Sequence, residues 1–326
     1  MSSNLNRRSF MKHTLAASAG GTVALSAAQG APRERLDIKV EPGSKATLPM
    51  GRIGDLEVSR ILLGGNLLTH YTHSRDLQYV YNLCAHYNTE DKIHETMALA
   101  EAHGINTLSI HNPAGIVEML MRYRQRYGGK MKWIICPIAE ITDDMKAYAD
   151  MTRELVDNGT DAIYLWGVRS DPLCAQGRMD LVRKAVEIAK DLGVPSGVGG
   201  HDLNVIVQCE KHNIPADFYI KTFHHHNYPS APKPHELKNP YNEVPGYWCK
   251  DPAETIEVMK NVTKPWIAFK VMAAGAIPPR DAFKYVFENG ADHCLAGMFD
   301  FEIAEDAMIA NETLAALKNR TRPWRS

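Results

Sequence analysis

The chain lacks any apolar stretch of the roughly 18 residues that a membrane-spanning helix needs, so no segment of a mature product is expected to cross a bilayer. It also lacks net charge: 37 Lys and Arg stand against 38 Asp and Glu, for a formal balance of −1. That removes the basic face with which a nucleic-acid binder displaces counterions. The low hydrophobicity and charge excess of a disordered chain are missing too, since 44% of residues are hydrophobic. Of six cysteines none forms a C-x-x-C pair, which leaves no zinc knuckle and no thioredoxin-type motif. No G-x-G-x-x-G follows an early apolar run, which weighs against an open dinucleotide-binding sheet.

What is present at the start is an address. Asn6-Arg7-Arg8-Ser9-Phe10-Met11-Lys12 places paired arginines before a mild apolar stretch from Thr14 to Ala28, and Ser26-Ala27-Ala28 offers small residues for a peptidase. This resembles a twin-arginine export signal, which implies the twin-arginine translocon as a partner and a periplasmic or secreted product. Residues 1–30 are read as this signal, 31–45 as a linker, 46–320 as one domain and 321–326 as a tail. Removing residues 1–28 takes away Arg7, Arg8 and Lys12 and leaves 34 basic against 38 acidic side chains. Export permits disulfides, but Cys136 and Cys294 lie inside apolar, strand-like runs, where a buried free thiol is expected.

Strand-length apolar runs alternate with helix-period segments about eight times. Ser59–Gly65, Asn106–Ile110, Lys132–Ile138, Ala162–Trp166, Pro195–Gly200, Asp217–Phe223, Trp266–Met272 and His293–Met298 read as strands. A short hairpin around Ile53–Leu56 precedes the first. Helices are expected over Ile116–Tyr127, Asp143–Asn158, Met179–Leu192, Pro278–Asn289 and Phe301–Leu317, with Thr89 and Asp251-Pro252 as helix starts. Unbroken β/α alternation predicts an α/β fold of one (β/α)8 TIM barrel, with an open doubly wound sheet as the alternative. Two connections exceed plain turns. Residues 66–88 are rich in His and Tyr and are long enough for an extra helix. Residues 224–250 hold five prolines, with Tyr247 and Trp248 near the end. Both follow strands and so lie at the C-terminal mouth, where their rings suit stacking on sugars.

The segment Met50-Gly51-Arg52-Ile53-Gly54-Asp55-Leu56-Glu57-Val58-Ser59-Arg60-Ile61-Leu62-Leu63-Gly64-Gly65-Asn66 resembles the opening hairpin and first strand of aldo-keto reductases. Ala102-His103-Gly104-Ile105-Asn106, Gly159-Thr160-Asp161-Ala162-Ile163-Tyr164-Leu165 and the stretch from Gly290 to Met308 are similar to later parts of that barrel. The resemblance implies a barrel over most of 46–320 and an NADP-dependent reductase with an Asp–Tyr–Lys–His tetrad. The tetrad's Asp would fall on Ser109, its Lys near Cys136-Pro137 and its His on Trp166, and no Tyr occurs in His111-Asn112-Pro113-Ala114-Gly115. A standard reductase is therefore not expected, and a free NADPH supply is not expected outside the cytoplasm.

Strand ends supply another set. Asn66, Asn112, Trp166 and Asp300 are candidate substrate-binding residues. His111, His201, His224 and His225 suit a divalent cation such as Zn or Mn, completed by a carboxylate. Hydrogen bonding of these imidazoles to substrate hydroxyls is one alternative, and histidines incidental to the loops are another. Lys270, Glu140 and Lys221 are the candidate catalytic residues. In Trp266–Met272, Ala268 and Lys270 are expected to point into the barrel, with Ile267, Phe269 and Val271 toward the helices. An inward Lys270 would need a carboxylate, Glu140 or Asp300, or would act as acid/base or Schiff-base former. The combined expectation is an exported lyase, isomerase or hydrolase moving protons on a small carbohydrate-like carbonyl or polyhydroxy substrate. A diverged NADPH-dependent reductase and a non-catalytic sugar-binding protein are the alternatives.

Overall fold

The computed structural model describes residues 48–74, 76–238 and 249–326; the signal and linker expectations, and Tyr247 and Trp248, lie outside them. Strands β1 (Met50–Ile53) and β2 (Leu56–Ser59) pair antiparallel with Ile53 opposite Leu56. That register leaves a two-residue turn, and Gly54 supplies its positive φ. Ile53 and Val58 are fully buried and pack into the barrel's own core, so the hairpin plugs the N-terminal end.

Eight parallel strands close above it: β3 (Ile61–Gly64), β4 (Thr107–His111), β5 (Lys132–Cys136), β6 (Ala162–Leu165), β7 (Ser196–Gly200), β8 (Phe218–Thr222), β9 (Trp266–Phe269) and β10 (His293–Ala296). They run in sequence order around the ring, with β10 returning to β3. The closed ring decides against the open sheet. Inward positions carry the core: Leu62, Ile134, Ala162, Phe218, Ile220, Ile267 and Leu295. A side chain at Gly197 would strike the Phe218 ring and one at Gly199 would crowd Tyr164, so these glycines make room for large neighbours.

Helices follow nearly every strand. After β3 come α1 (Gln78–Tyr87), the extra helix in the long first connection, and α2 (Glu90–Ala102). Thr89 caps α2, accepting from Lys92 N, and Gly104 with positive φ leads the chain out of it. The ring continues through α3 (Ile116–Tyr127), α4 (Lys146–Asp157), α5 (Gly167–Ala175), α6 (Met179–Asp191), α7 (Leu203–Lys211), α8 (Pro252–Asn261), α9 (Pro279–Glu288) and α10 (Ile303–Ala316). Asp251 caps α8 through a 2.9 Å bond from Glu254 N, as its Asp-Pro start predicts. Sequence periodicity missed α5 and α7. Each has only nine residues, and α5 carries Pro172 inside it.

Residues 321–326, read from sequence as a tail, return under the barrel. Arg322 is buried, 2.6 Å from Asp292 and bonded to the carbonyls of Val262, Lys264 and Gly290. Trp324 lies between the guanidinium groups of Arg60 and Arg320. All six cysteines are free and buried, as expected for Cys136 and Cys294.

Candidate active site at the barrel mouth

The C-terminal ends of the strands surround a cavity of about 550 Å³, within the ~300–1,000 Å³ range of small-molecule sites. Inward positions of β4, β5 and β6 provide its floor: Ser109, Cys136 and Tyr164. Burial pushes the Cys136 thiol up to about 12 and the Tyr164 phenol well above its ordinary value, so both keep their protons.

One wall is flat. His111 ends β4 and Trp166 follows β6; their rings lie parallel, 5° between planes and 5.8 Å between centroids. Both line the cavity. Burial lowers the His111 pKa, so at neutral pH the imidazole is uncharged and offers one donor and one acceptor beside the indole.

His201, directly after β7, lines the cavity and is held from behind. Its Nδ1 stands 2.7 Å from an oxygen of Asp171, whose carboxylate also accepts from the backbone N–H groups of His201 and Asp202, each at 3.0 Å. Asp171 sits on α5, the short helix that starts straight after β6, so chain continuity brings it beside the end of β7. Nδ1 therefore carries the ring proton and Nε2 keeps its lone pair. Burial, with Lys270 and Lys221 nearby, depresses this imidazole to about 4 despite Asp171.

Across the ring, four strands away, the loop after β3 contributes Asn66 and His73. The Asn66 amide Nδ2 donates to His73 Nε2 at 2.7 Å, which leaves the ring proton of His73 on Nδ1. Burial and the Lys270 charge drive the His73 pKa well down. Tyr71 meets the His73 ring edge-on at 4.6 Å.

Lys270 lines the cavity by a route that alternation does not show. Ile267 and Phe269 pack into the barrel core, so Ala268 takes the helix-facing side, the reverse of the expected pattern. A regular strand would then send residue 270 outward. Instead β9 ends at Phe269 and Lys270 adopts φ +58, which turns the chain and brings its side chain to the mouth. The ammonium lies 5.2 Å from the Phe269 ring and adds to the burial that already lowers the His73 and His201 pKa values.

Several expected residues lie elsewhere. Glu140 is exposed and faces Arg169 at 3.6 Å, since its loop runs outward after β5. Asp300 accepts from the Tyr87 hydroxyl at 2.7 Å and pairs with Lys92 at 3.0 Å, tying α1 and α2 to the end of β10. Neither carboxylate lines the cavity where Lys270 stands. Asn112 spends its side-chain oxygen on Ile138 N, at 2.9 Å, and braces its own loop. Lys221 is buried within β8, its ammonium on the Thr222 carbonyl at 2.7 Å. His225 turns away, edge-on to Tyr285, because consecutive residues face opposite sides. His224 is buried behind the lining, 3.4 Å from the Tyr228 hydroxyl. Among the described residues, no group of three His, Cys, Asp or Glu stands close enough to hold a metal ion. Of the expected set the cavity gathers Asn66, His111, Trp166, His201 and Lys270. Asp171 and His73 were not expected. Asp171 lies on a helix that periodicity does not reveal, whereas the density of His and Tyr in residues 66–88 was the one signal for His73.

No family model matches the chain, and no curated protein matches it. Solved structures do. A putative aldo-keto reductase from Pseudomonas aeruginosa superposes with a TM-score of 0.54 at 18% identity, covering 84% of this chain and 97% of that one. A second structure described in the same words gives 0.54 at 16%, covering 85% and 98%. A Gox0644 variant in complex with NADPH gives 0.52 at 12%, covering 83% and 93%. At such identities the likeness is one of fold: this chain has a TIM barrel distantly similar to those of aldo-keto reductases.

Proposed function

We propose that the chain is an exported enzyme that moves a proton at a carbon next to the carbonyl of a carbohydrate-like, polyhydroxy substrate, as an isomerase or lyase does. The observation that carries this reading is the Asp171–His201 pair at the edge of a cavity that also contains Lys270. His201 Nε2 is the base. Asp171 fixes the tautomer and stabilises the imidazolium once the proton has moved. As the C–H bond breaks, its electron pair passes to the carbonyl oxygen. Lys270 meets the developing negative charge at the cavity wall. The parallel His111–Trp166 rings give a sugar ring an apolar face with a polar edge.

Two further observations favour this over nicotinamide chemistry. Ser109, Cys136 and Trp166 occupy positions where the resemblance implies acid/base residues of a reductase, and all three line the cavity. Moreover, Glu302 at the N-cap and Glu305 in the first turn place two carboxylates at the start of α10, after the last barrel strand, where barrel enzymes often hold phosphate. Their field opposes a dinucleotide.

The test is deuterium wash-in. Purified protein is incubated in D2O with dihydroxyacetone, D-fructose and D-glucuronate, and loss of carbon-bound protons is followed by NMR. H201N and K270M are each expected to slow wash-in about a hundredfold or more. Saturable binding without wash-in would make this a binding protein, and NADPH-dependent reduction of the same probes would restore the reductase reading. Absence of wash-in with all three probes overturns the proposal.

A further inference from the structure

We infer that His111 is a second catalytic residue, which carries a proton from the substrate's hydroxyl oxygen to its former carbonyl oxygen and so makes the reaction an aldose–ketose isomerisation. The inference rests on the proton-transfer reading above and narrows isomerase or lyase to isomerase.

The first observation is placement. Side chains alternate along a strand, so His111 faces inward with Ser109, two residues earlier on the cavity floor. Trp166 stands in the same relation to Tyr164 at the end of β6. The two rings therefore form the layer directly above the floor, parallel and 5.8 Å apart between centroids. Trp166 is followed by Gly167, where a Cβ would stand 3.1 Å from two atoms of the His201 ring. One dipeptide thus backs both imidazoles: the indole supports His111, and the bare Gly167 backbone lets His201 close in. Groups held on adjoining residues of one corner can address adjoining atoms of one substrate.

The second observation is that the polar atoms of this ring are unspent. The imidazoles of His201 and His73 are each held by a neighbour at 2.7 Å. Among the described residues no hydrogen bond reaches the His111 ring, and neither of its nitrogens is sealed from open space. Burial lowers its pKa, so at neutral pH one nitrogen offers a lone pair and the other an N–H. A ring supported by stacking, with both polar atoms unspent, is free to take up a proton and release it. The indole face also favours the cation that forms when it does.

Isomerisation requires such a carrier. When His201 removes the proton from the carbon that bears the hydroxyl, the C–H pair becomes a C=C bond and the carbonyl pair moves to its oxygen. The enediolate then has O⁻ on one carbon and O–H on the next. His111 accepts the hydroxyl proton as that oxygen becomes the new carbonyl, and the C=C pair takes a proton from the His201 imidazolium at the other carbon. The His111 imidazolium then protonates the remaining O⁻. One proton has moved between carbons and one between oxygens, with no external oxidant or reductant.

The experiment reads the two transfers separately. In D2O, NMR follows wash-in and conversion in the same tube: dihydroxyacetone to glyceraldehyde, D-fructose to D-glucose or D-mannose, and D-glucuronate to D-fructuronate. The wild type is expected to do both with at least one pair. Gln at position 111 keeps a donor and an acceptor but cannot carry a proton. H111Q is expected to hold wash-in within about threefold of the wild type and to lose conversion about a hundredfold or more. H111A is expected to show the same split, with free imidazole restoring part of its conversion and leaving its wash-in unchanged. Equal losses of wash-in and conversion in H111Q and H111A that melt as the wild type does, or conversion at the wild-type rate, overturn the inference. So does a wild type that exchanges carbon-bound protons but forms no isomer, an outcome that leaves the proton-transfer reading standing. A wild type without wash-in sinks that reading, and this inference with it.

Discussion

The two ends of this barrel treat charge in opposite ways. At the N-terminal end Arg60, Arg320 and Arg322 are drawn in, and the chain answers each of them. Arg322 meets Asp292 at 2.6 Å, Arg60 donates to the Asp292 and Ser326 carbonyls, and Arg320 donates to those of Phe287, Gly290 and Ala291. At the C-terminal end His73, His111 and His201 are kept neutral around a lysine, and Asn66 and Asp171 orient two of these rings. The backbone divides in the same way. Of the seven non-glycine residues with positive φ among the described residues, four (His73, Lys270, Ala273 and Ala274) line the cavity. The closed end uses polar groups to hold strands together. The open end holds polar groups in place against local preference, which marks a functional site and not a stabilising one.

Removing an interaction from the closed end should give the largest loss of stability. R322A leaves Asp292 buried without its nearest cation and takes the side-chain donor from the Val262 and Lys264 carbonyls, a change that costs about 3–5 kcal/mol in comparable buried pairs. Chemical denaturation should show that loss, while wash-in per folded molecule stays as in the wild type. A fall in wash-in at unchanged stability would break the division between the two ends.

The reverse behaviour is expected at Asp171. D171N keeps the shape but favours the opposite His201 tautomer, so wash-in should drop about a hundredfold or more. Because His201 must be unprotonated to act as base, and is depressed to about 4, wild-type wash-in should rise with pH through about 4 and then level off. Initial rates from pH 3 to 8 check both points. A titration limb near the ordinary histidine value would show that burial at the cavity edge does not hold His201 uncharged, and would separate the working base from this histidine.

The closed end and the ring itself were legible in the sequence because burial writes them there. Most strands are apolar runs between turn signals, and Ile116–Tyr127 is a helix over the very span its periodicity predicts. The mouth was legible only in composition. Trp266–Phe269 is apolar on both faces, because one meets the core and the other the helices, so alternation gave the wrong side for Ile267 and Ala268. Lys270 was rightly brought to the cavity for a mistaken reason: its position comes from a left-handed residue, which no hydrophobic pattern encodes. Asp171 was out of reach because its helix was. Glu140 and Asp300 illustrate the opposite failure, in that lying just after a strand does not decide which way a loop carries its side chain.

The smallest expected effect concerns the acidic flank between the two ends. Asp306 is buried at the start of α10, and burial with Glu302 and Glu305 nearby raises its carboxyl from 3.8 to about 7. The sign follows from linkage. Below about pH 4 folded and unfolded chains both hold the proton, and the group contributes no difference. Between about 4 and 7 the unfolded chain releases it while the folded one keeps it, so folding loses stability as pH rises, until both are ionised above about 7. D306N cannot ionise and escapes that loss. Its melting temperature should match the wild type near pH 4 and exceed it by a few degrees at pH 8. Equal melting temperatures at both pH values would mean that the carboxyl is already ionised at little cost, and that the field opposing phosphate at the start of α10 is stronger than this burial implies.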